Sequence, residues 1–396
     1  MAEPSTASGG TPIQAGVQAA SGSGHAGDPH VASLHTGDQT GGGSVALQTS
    51  KRGSAQRFEP GSPRVLVAGA TGFAGALAAH LLWRHPRFEL AAVTGRSEVG
   101  RRLDDLYPRY RVPLILDELD LDGLERIDAA VVAYPHAAAA PAVGALIDRG
   151  VRVVDLSADF RLSELATYER WYGAHPRPEL LEQAVYGLSE LHRERIAHAT
   201  IVANPGCYPT ASVLALAPLA RAGLLADVVI DAKQGVSGAG RTASLDTTHL
   251  SYTAENIIPY KVAAHRHTPE IEQQLDELDP SRPDLRVQFQ AHLVSLDQGE
   301  MASCYVTPTR SVAPEELAGL FASAYTDEPF VELVDAPPSV REVRETNFCR
   351  LFAAADPHTG KLLVFSAIDN LWKGTSSQAV QNLNLMFGLP ETEGLL

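Results

Sequence analysis

The sequence predicts an α/β protein in which a doubly wound parallel sheet comes first and an α+β domain with a mixed or antiparallel sheet follows. Three observations predict it. The apolar run RVLVAG (64–69) flows through GATGFAG (69–75) into a helical stretch. Strands then alternate with helices to about residue 206, and from about 285 to 368 five strands are separated by turns and a single clear helix. Alternation implies a parallel sheet with helical crossovers, whereas consecutive strands imply a mixed or antiparallel one.

RVLVAG is a short continuous apolar run suited to a buried parallel strand. Gly69, Gly72 and Gly75 follow in a G-x-x-G-x-x-G spacing, a variant of the dinucleotide (Rossmann) fingerprint. In that fingerprint a tight turn, close backbone approach and a helix N-terminus cradle a pyrophosphate. The turn residues Gly69, Thr71, Gly72, Phe73 and Gly75 are therefore candidate cofactor contacts, and 74–83 is the first helix. The second strand, ELAAVT (89–94), ends in Thr94-Gly95-Arg96-Ser97 rather than in the acid that would hold a ribose diol. The cation and hydroxyl of Arg96 and Ser97 suit a 2′-phosphate and favour NADP(H), with Arg101 and Arg102 as further sources of charge.

The rhythm continues with a strand at 128–135, an Ala-rich helix at 136–149, and strands at 151–157 and 200–206. LRVQFQAHLVSL, MASCYVTPT, FVELV, RLFAAA and LLVFSAI then form the second sheet, around the helix 314–325. A last helix, 376–387, is placed to pack back on the first domain.

Composition narrows the function. The 396 residues carry 47 acidic and 32 basic side chains, a net charge of −15, which lacks the basic footprint of a nucleic-acid binder. No run of about 18 apolar residues exists to span a membrane. Three cysteines cannot make a disulfide scaffold, which fits a reducing, cytoplasmic setting. A seam lies near residue 62: residues 1–62 hold 12 of the 33 glycines without apolar periodicity and read as a disordered tail. The body is then 63–206, a nucleotide-binding domain completed by 370–396, and 207–369, a catalytic and substrate domain.

ANPGCYPTASVLALAPLARAGLL (203–225) is the most informative stretch. A strand ends at Pro-Gly, Cys207 follows, and Pro209 stands where a first helical residue belongs. The unpaired amides and positive end of that helix would lower the thiol pKa and supply donors to an oxyanion. Cys304 and Cys349 sit among strand residues and read as structural. In YKVAAHRHTPEI (260–271), His265 and His267 precede a helix start with Thr268 as cap and Pro269 as first residue, and either imidazole could carry the proton. His-x-His without a third ligand is a poor metal site, so no metal is expected. Only 5 lysines stand against 27 arginines, and Lys233, Lys261 and Lys373 each fall in a dense motif. Ser237-Gly238-Ala239-Gly240-Arg241 could form an anion nest.

Together, GATGFAG, DLSADFRL (155–162), AVYGLSEL (184–191), ANPGCYPT, KQGVSGAGR, HRHTPEI and DNLWKGTSSQAVQN (369–382) resemble the N-acetyl-gamma-glutamyl-phosphate reductases of arginine biosynthesis, type 1. The match covers nearly the whole body and none of the tail. It departs at Gln234, where the family more often has Ser, and at HAAAAP (136–141). The resemblance implies a glyceraldehyde-phosphate-dehydrogenase-like second domain and a homo-oligomer, dimer or tetramer. It also implies NADPH-dependent reduction of N-acetyl-glutamyl 5-phosphate to the semialdehyde. Cys207 would form a thioester, with His267 as acid/base in preference to His265 and Glu270 orienting it. Arg161, Arg241, Arg266, Ser237 and Gly238 are candidates for the substrate's phosphate or carboxylate, and Asn370, Lys373 and Gly374 for the cofactor. Rival readings are a related acyl-phosphate semialdehyde dehydrogenase (acetylaminoadipyl-phosphate or aspartate-semialdehyde type), a non-catalytic NADP-sensing protein, and a Cys-dependent hydrolase.

Overall fold

The computed structural model describes residues 58–396, except 60, 124, 125, 243–247, 283 and 284. The tail expected at 1–62 therefore lies outside the described residues, apart from 58, 59, 61 and 62. The first sheet holds β1 (Arg64–Ala68), β2 (Glu89–Thr94), β3 (Leu116–Asp117), β4 (Ala129–Val132), β5 (Arg152–Asp155), β6 (Ala184–Tyr186) and β7 (Ile201–Ala203). All its pairings are parallel, in the order β3-β2-β1-β4-β5-β7-β6. Its crossover helices are α1 (Phe73–Arg84), α2 (Leu103–Leu106), α3 (Ala139–Ile147), α4 (Leu165–Tyr172) and α5 (Ser189–Ala197). Val65, Leu66, Val67 and Ala68 are fully buried, because helices cover both faces of a doubly wound sheet. The apolar run thus reads as predicted. The short strands β3 and β6 were not foreseen, since two or three residues show no periodicity. The helix expected from 136 begins at Ala139, where the buried Asp159 carboxylate accepts the Ala137 and Ala140 amides at 2.7 and 2.9 Å.

From the end of β7, α6 (Cys207–Arg221) leads into the second sheet, and its residues from Tyr208 to Ala220 are all buried. The second sheet comprises β8 (Leu225–Gly235), β9 (Ile257–Tyr260), β10 (Val287–Val294), β11 (Glu300–Pro308), β12 (Val331–Leu333), β13 (Cys349–Ala355) and β14 (Leu362–Ile368). It is mixed, in the order β12-β13-β14-β11-β8-β10-β9. The five strands predicted between 285 and 368 are β10 to β14. Two more, β8 and β9, were not expected, and β8 runs through the Lys233-Gln234 motif that the sequence left without an element. Helices α7 (Leu250–Thr253), α8 (Thr268–Leu278) and α9 (Pro314–Tyr325) complete this half.

The final helix, α10 (Ser377–Met386), returns to the first sheet as anticipated. Leu383 and Met386 share the core of Val65 and Leu77, and the Ser376 hydroxyl donates to the Ala74 carbonyl at 2.8 Å. One end of the first sheet is thereby tied to the segment that closes over α6.

Candidate active site

A cleft of about 590 Å³ opens at the carboxyl ends of β1, β2 and β4, lined by Gly69, Thr71, Gly72, Arg96, Ser97 and Arg241 among others. This is the crevice beside the first strand where doubly wound sheets take their ligands. Gly69 has φ +92°, and a Cβ there would stand 2.6 Å from the Ala133 carbonyl oxygen. At Gly75 an added Cβ would lie 2.2 Å from the Gly69 oxygen, so the turn and α1 close on each other only as glycines. Phe73 opens α1, its ring meeting that of Tyr107 edge-on at 6.5 Å. The turn therefore leaves a backbone cradle at a helix N-terminus, with the Arg96 guanidinium and Ser97 at the end of β2. Those features fit a dinucleotide.

Arg241, expected with the substrate groups, stands at this turn instead. Its Nη1 donates to the Thr71 carbonyl at 3.1 Å, and its Nη2 faces Glu98 at 3.4 Å. A polar bond to the nucleotide turn is local geometry that spacing in sequence does not encode.

The second strand-to-helix junction carries Cys207. β7 ends at Ala203, Gly206 caps α6, and Cys207 is itself the first helical residue. Pro209 therefore sits third rather than first, where the N–H it lacks would have had no partner inside the helix. Cys207 is partly exposed as a residue while its sulfur is buried, and Gln234 Nε2 donates to Sγ at 2.8 Å. The same nitrogen donates to Glu300 Oε2 at 2.9 Å, so Gln234 bridges the thiol and the Glu300 carboxyl.

The helix was expected to lower this thiol's pKa. The structure reverses the direction. Burial pushes the Cys207 thiol well up and the Glu300 carboxyl adds to the shift, while Gln234 and the Tyr208 amide pull it down without prevailing. Burial also raises Glu300, to about 8.

The two histidines separate cleanly. His265 is 5% exposed, ringed by Tyr208, Tyr260 and Phe289 at centroid distances of 5.0 to 5.5 Å, and its Nδ1 accepts the His267 amide at 3.2 Å. His267, not Thr268, is the cap position of α8. Its ring stands over the thiol's own turn: a Cβ on Gly206 would be 2.6 Å from His267 Nε2 and 2.9 Å from Arg161 Nη1. Burial, followed by His265, Arg161 and Lys261, drives the His267 pKa well below its usual value, so this imidazole rests neutral.

Glu270 does not orient His267, whose buried Nδ1 has no partner. Its Oε1 accepts the Gly206 amide at 2.9 Å and the Tyr186 hydroxyl at 2.8 Å, and its Oε2 faces Arg161 Nη1 at 3.5 Å. Arg161 is equally committed, donating to the carbonyls of Asn204 and Leu156, both at 2.8 Å. Both side chains thus brace the loop before Cys207. Arg266 stays partly exposed, with Nη1 at 3.3 Å from His136 Nε2 and its charge over the Tyr172 ring.

The carboxy-terminal motif divides as well. The Asn370 amide is spent on Ser237 Oγ (3.1 Å) and the Gly299 amide (2.7 Å). Lys373 is fully buried against Glu190 at 2.6 Å, so its ammonium does not face the cleft. Gly374 lies against the thiol residue: a Cβ there would be 2.8 Å from Cys207 Cβ. Gly238 likewise packs on the Gln234 amide, an added Cβ falling at 2.2 Å. Sequence reasoning noticed Gln234 only as a departure and passed over Glu300. The available signal was strand phase, for Glu300 falls on the same face as the buried Ala302, Cys304 and Val306. Among the described residues no group of three His, Cys, Asp or Glu is placed to hold a metal ion.

Comparisons with known proteins fall on the same two halves of the chain. A family model described as "Semialdehyde dehydrogenase, NAD binding domain" matches residues 64–199, and "Semialdehyde dehydrogenase, dimerisation domain" matches 207–370. An N-acetyl-gamma-glutamyl-phosphate reductase from Desulforudis audaxviator is 48% identical over 341 residues, covering 84% of this chain and 98% of that protein. Those from Dehalococcoides mccartyi and Moorella thermoacetica are each 45% identical, covering 83% of this chain and 96% of theirs. The chain belongs to the N-acetyl-gamma-glutamyl-phosphate reductase family.

Solved structures place the fold of this chain more widely. An aspartate semialdehyde dehydrogenase II from Vibrio cholerae superposes with a TM-score of 0.63 at 17% identity, covering 83% of this chain and 98% of its own. One from Candida albicans, solved with NADP, gives 0.60 at 15% identity, covering 82% and 98%. At such identities the likeness is one of fold. No described helix is long and apolar enough to cross a membrane.

Proposed function

We propose that the chain reduces N-acetyl-L-glutamyl 5-phosphate to N-acetyl-L-glutamate 5-semialdehyde and phosphate, with NADPH, in arginine biosynthesis. The observation that carries the reading is Cys207 at the first turn of α6, with the His267 ring against the preceding Gly206, and a glycine-lined nucleotide cleft in the same family fold. The glycine turn would hold the cofactor's pyrophosphate, and Arg96, Ser97 and Arg241 its 2′-phosphate. NADPH bound there supplies the hydride for the acyl group.

Cys207 does the covalent work. Sγ attacks the acyl-phosphate carbonyl, the S–C bond forms, and the C–O bond to phosphate breaks. Amides of the first turn of α6 face the oxygen as it gains charge. His267, neutral at rest, relays a solvent proton to the leaving phosphate, taking it up on one ring nitrogen as it gives one up from the other. Arg266, the least committed of the three candidate arginines, is the cation we assign to the substrate's carboxylate or phosphate.

The reading includes a cytoplasmic homo-oligomer, dimer or tetramer. It is supported by the dimerisation-domain match and by exposed apolar residues Leu250, Ile257 and Val262 near the β9 edge. The test is phosphate-dependent oxidation of synthetic semialdehydes with NADP. We expect turnover on the N-acetylglutamate semialdehyde, and a preference for the homologue one methylene longer would sink the assignment. Cys207→Ser should lose turnover and keep NADPH binding.

A further inference from the structure

The acyl-transfer reading leaves one proton without an owner. Cys207 rests as a thiol, since burial holds its pKa high, and the S–H proton must leave as sulfur attacks. The sheet supplies a neighbour for it. β8 and β11 pair antiparallel with Gln234 directly opposite Glu300, so the two side chains lie side by side. Gln234 Nε2 spans them, 2.8 Å from Sγ and 2.9 Å from Glu300 Oε2. Glu300 is fully buried, and its other oxygen, Oε1, has no hydrogen-bond partner. A buried carboxyl with an unspent oxygen is costly, and here it borders the reacting sulfur.

We propose that Glu300 is a catalytic residue: it takes the Cys207 proton when the sulfur attacks and returns it when the sulfur leaves, while Gln234 keeps the two groups together. This rests on the acyl-transfer reading above. The steps balance. In acylation the S–H bond breaks and an O–H bond forms on Glu300. The S–C bond forms, and phosphate departs with a proton drawn from solvent. On release of the aldehyde the C–S bond breaks, its electron pair returns to Sγ, and Glu300 gives the proton back. Net uptake is one solvent proton per turnover, with the hydride from the cofactor.

The surroundings suit a group that must be both acid and base. Burial raises the Glu300 carboxyl to about 8, the neighbouring Cys207 lowers it, and Asp369 at the end of β14 raises it further. Tyr208, Tyr260 and Cys349 are the other titratable groups that feel its charge, each pushed up by burial first. General bases act best when their pKa lies near the working pH.

The experiment is single-turnover phosphate release from the acyl phosphate without reduced cofactor, on the full chain. Glu300→Gln should slow the burst by about 100-fold and remove an inflection near pH 8 from its pH profile, with NADPH affinity unchanged. Glu300→Asp should restore part of the rate. A Glu300→Gln burst within twofold of the parent, with the inflection retained, would overturn the proposal. A burst that survives in Cys207→Ser would instead overturn the acyl-transfer reading. Should the Glu300 variants fail to fold, iodoacetamide alkylation of the parent's Cys207 decides. A rate that inflects near pH 8 supports Glu300, whereas a rise only at the thiol's own higher pKa excludes it.

Discussion

The Glu270 carboxylate holds the Gly206 amide at 2.9 Å and makes no bond to the His267 ring three residues before it. An acid one helical turn from an imidazole suggests an orienting partner, yet here it fastens the backbone that delivers the thiol. Glu270→Ala would leave the buried Arg161 without its counter-charge, which costs about 3–5 kcal/mol for a buried pair. We expect a lowered melting temperature and a fallen kcat whose pH profile keeps its shape. A shifted acid or base limb would show that Glu270 works through His267.

Lys373 tests the same distinction between framework and site. Its ammonium is buried with Glu190 at 2.6 Å and also donates to Gln381 at 2.9 Å. Lys373→Met should destabilise the fold by about 3–5 kcal/mol in denaturant titration while leaving the Kd for NADPH within about twofold. Burial works to raise the Glu190 carboxyl, but the Lys373 charge overcomes it and holds it below the usual 4.5. The pair's stabilisation is therefore present above that value and lost as pH falls through the lower folded one. Acid unfolding of the variant should show a shallower dependence in that range.

Cofactor choice should follow the cations at the end of β2. Arg96→Ala is expected to raise the KM for NADPH roughly 10- to 100-fold, the loss of one charge-assisted bond to phosphate, and to leave NADH use nearly unchanged. Arg241→Ala should act in the same direction, because its guanidinium already borders the turn at Thr71. Equal losses with both cofactors would place these arginines elsewhere.

His265 should matter to stability more than to chemistry. Burial lowers its pKa from 6.5 to about 3, with Lys261 adding to the shift. Between those values the unfolded chain binds a proton that the folded chain refuses, so stability rises with pH across the window, by up to about 1.4 kcal/mol per unit. His265→Phe should flatten that slope in chemical denaturation and keep most of the activity. His267→Asn should instead lose most of the activity, and a larger kcat loss for the His265 variant would exchange their roles.

Much of this was legible from the chain alone. The glycines at 69, 72 and 75, the strand ends at Arg96 and Cys207, and the five strands of 287–368 are local patterns. Local backbone preference and hydrophobic period decide such features within a few residues. What could not be read were partners far apart in sequence. Gln234 and Glu300 meet only because β8 and β11 pair in one register, and Glu190 meets Lys373 only because α10 and its approach return to the first sheet.

The amino-acid sequence by itself determined the α/β plan of a parallel sheet followed by a mixed one, the nucleotide turn and the identity of the thiol helix. Periodicity, glycine placement and strand-to-helix junctions are properties of short segments. Tertiary structure alone decided which polar side chains are spent on the framework and which are not. Arg161, Glu270, Asn370 and Lys373 spend their polar atoms on backbone or buried partners, while Glu300 keeps an oxygen free beside Cys207. The same burial turned the thiol's pKa upward against the pull of its helix, because desolvation of a charge outweighs a few oriented amides.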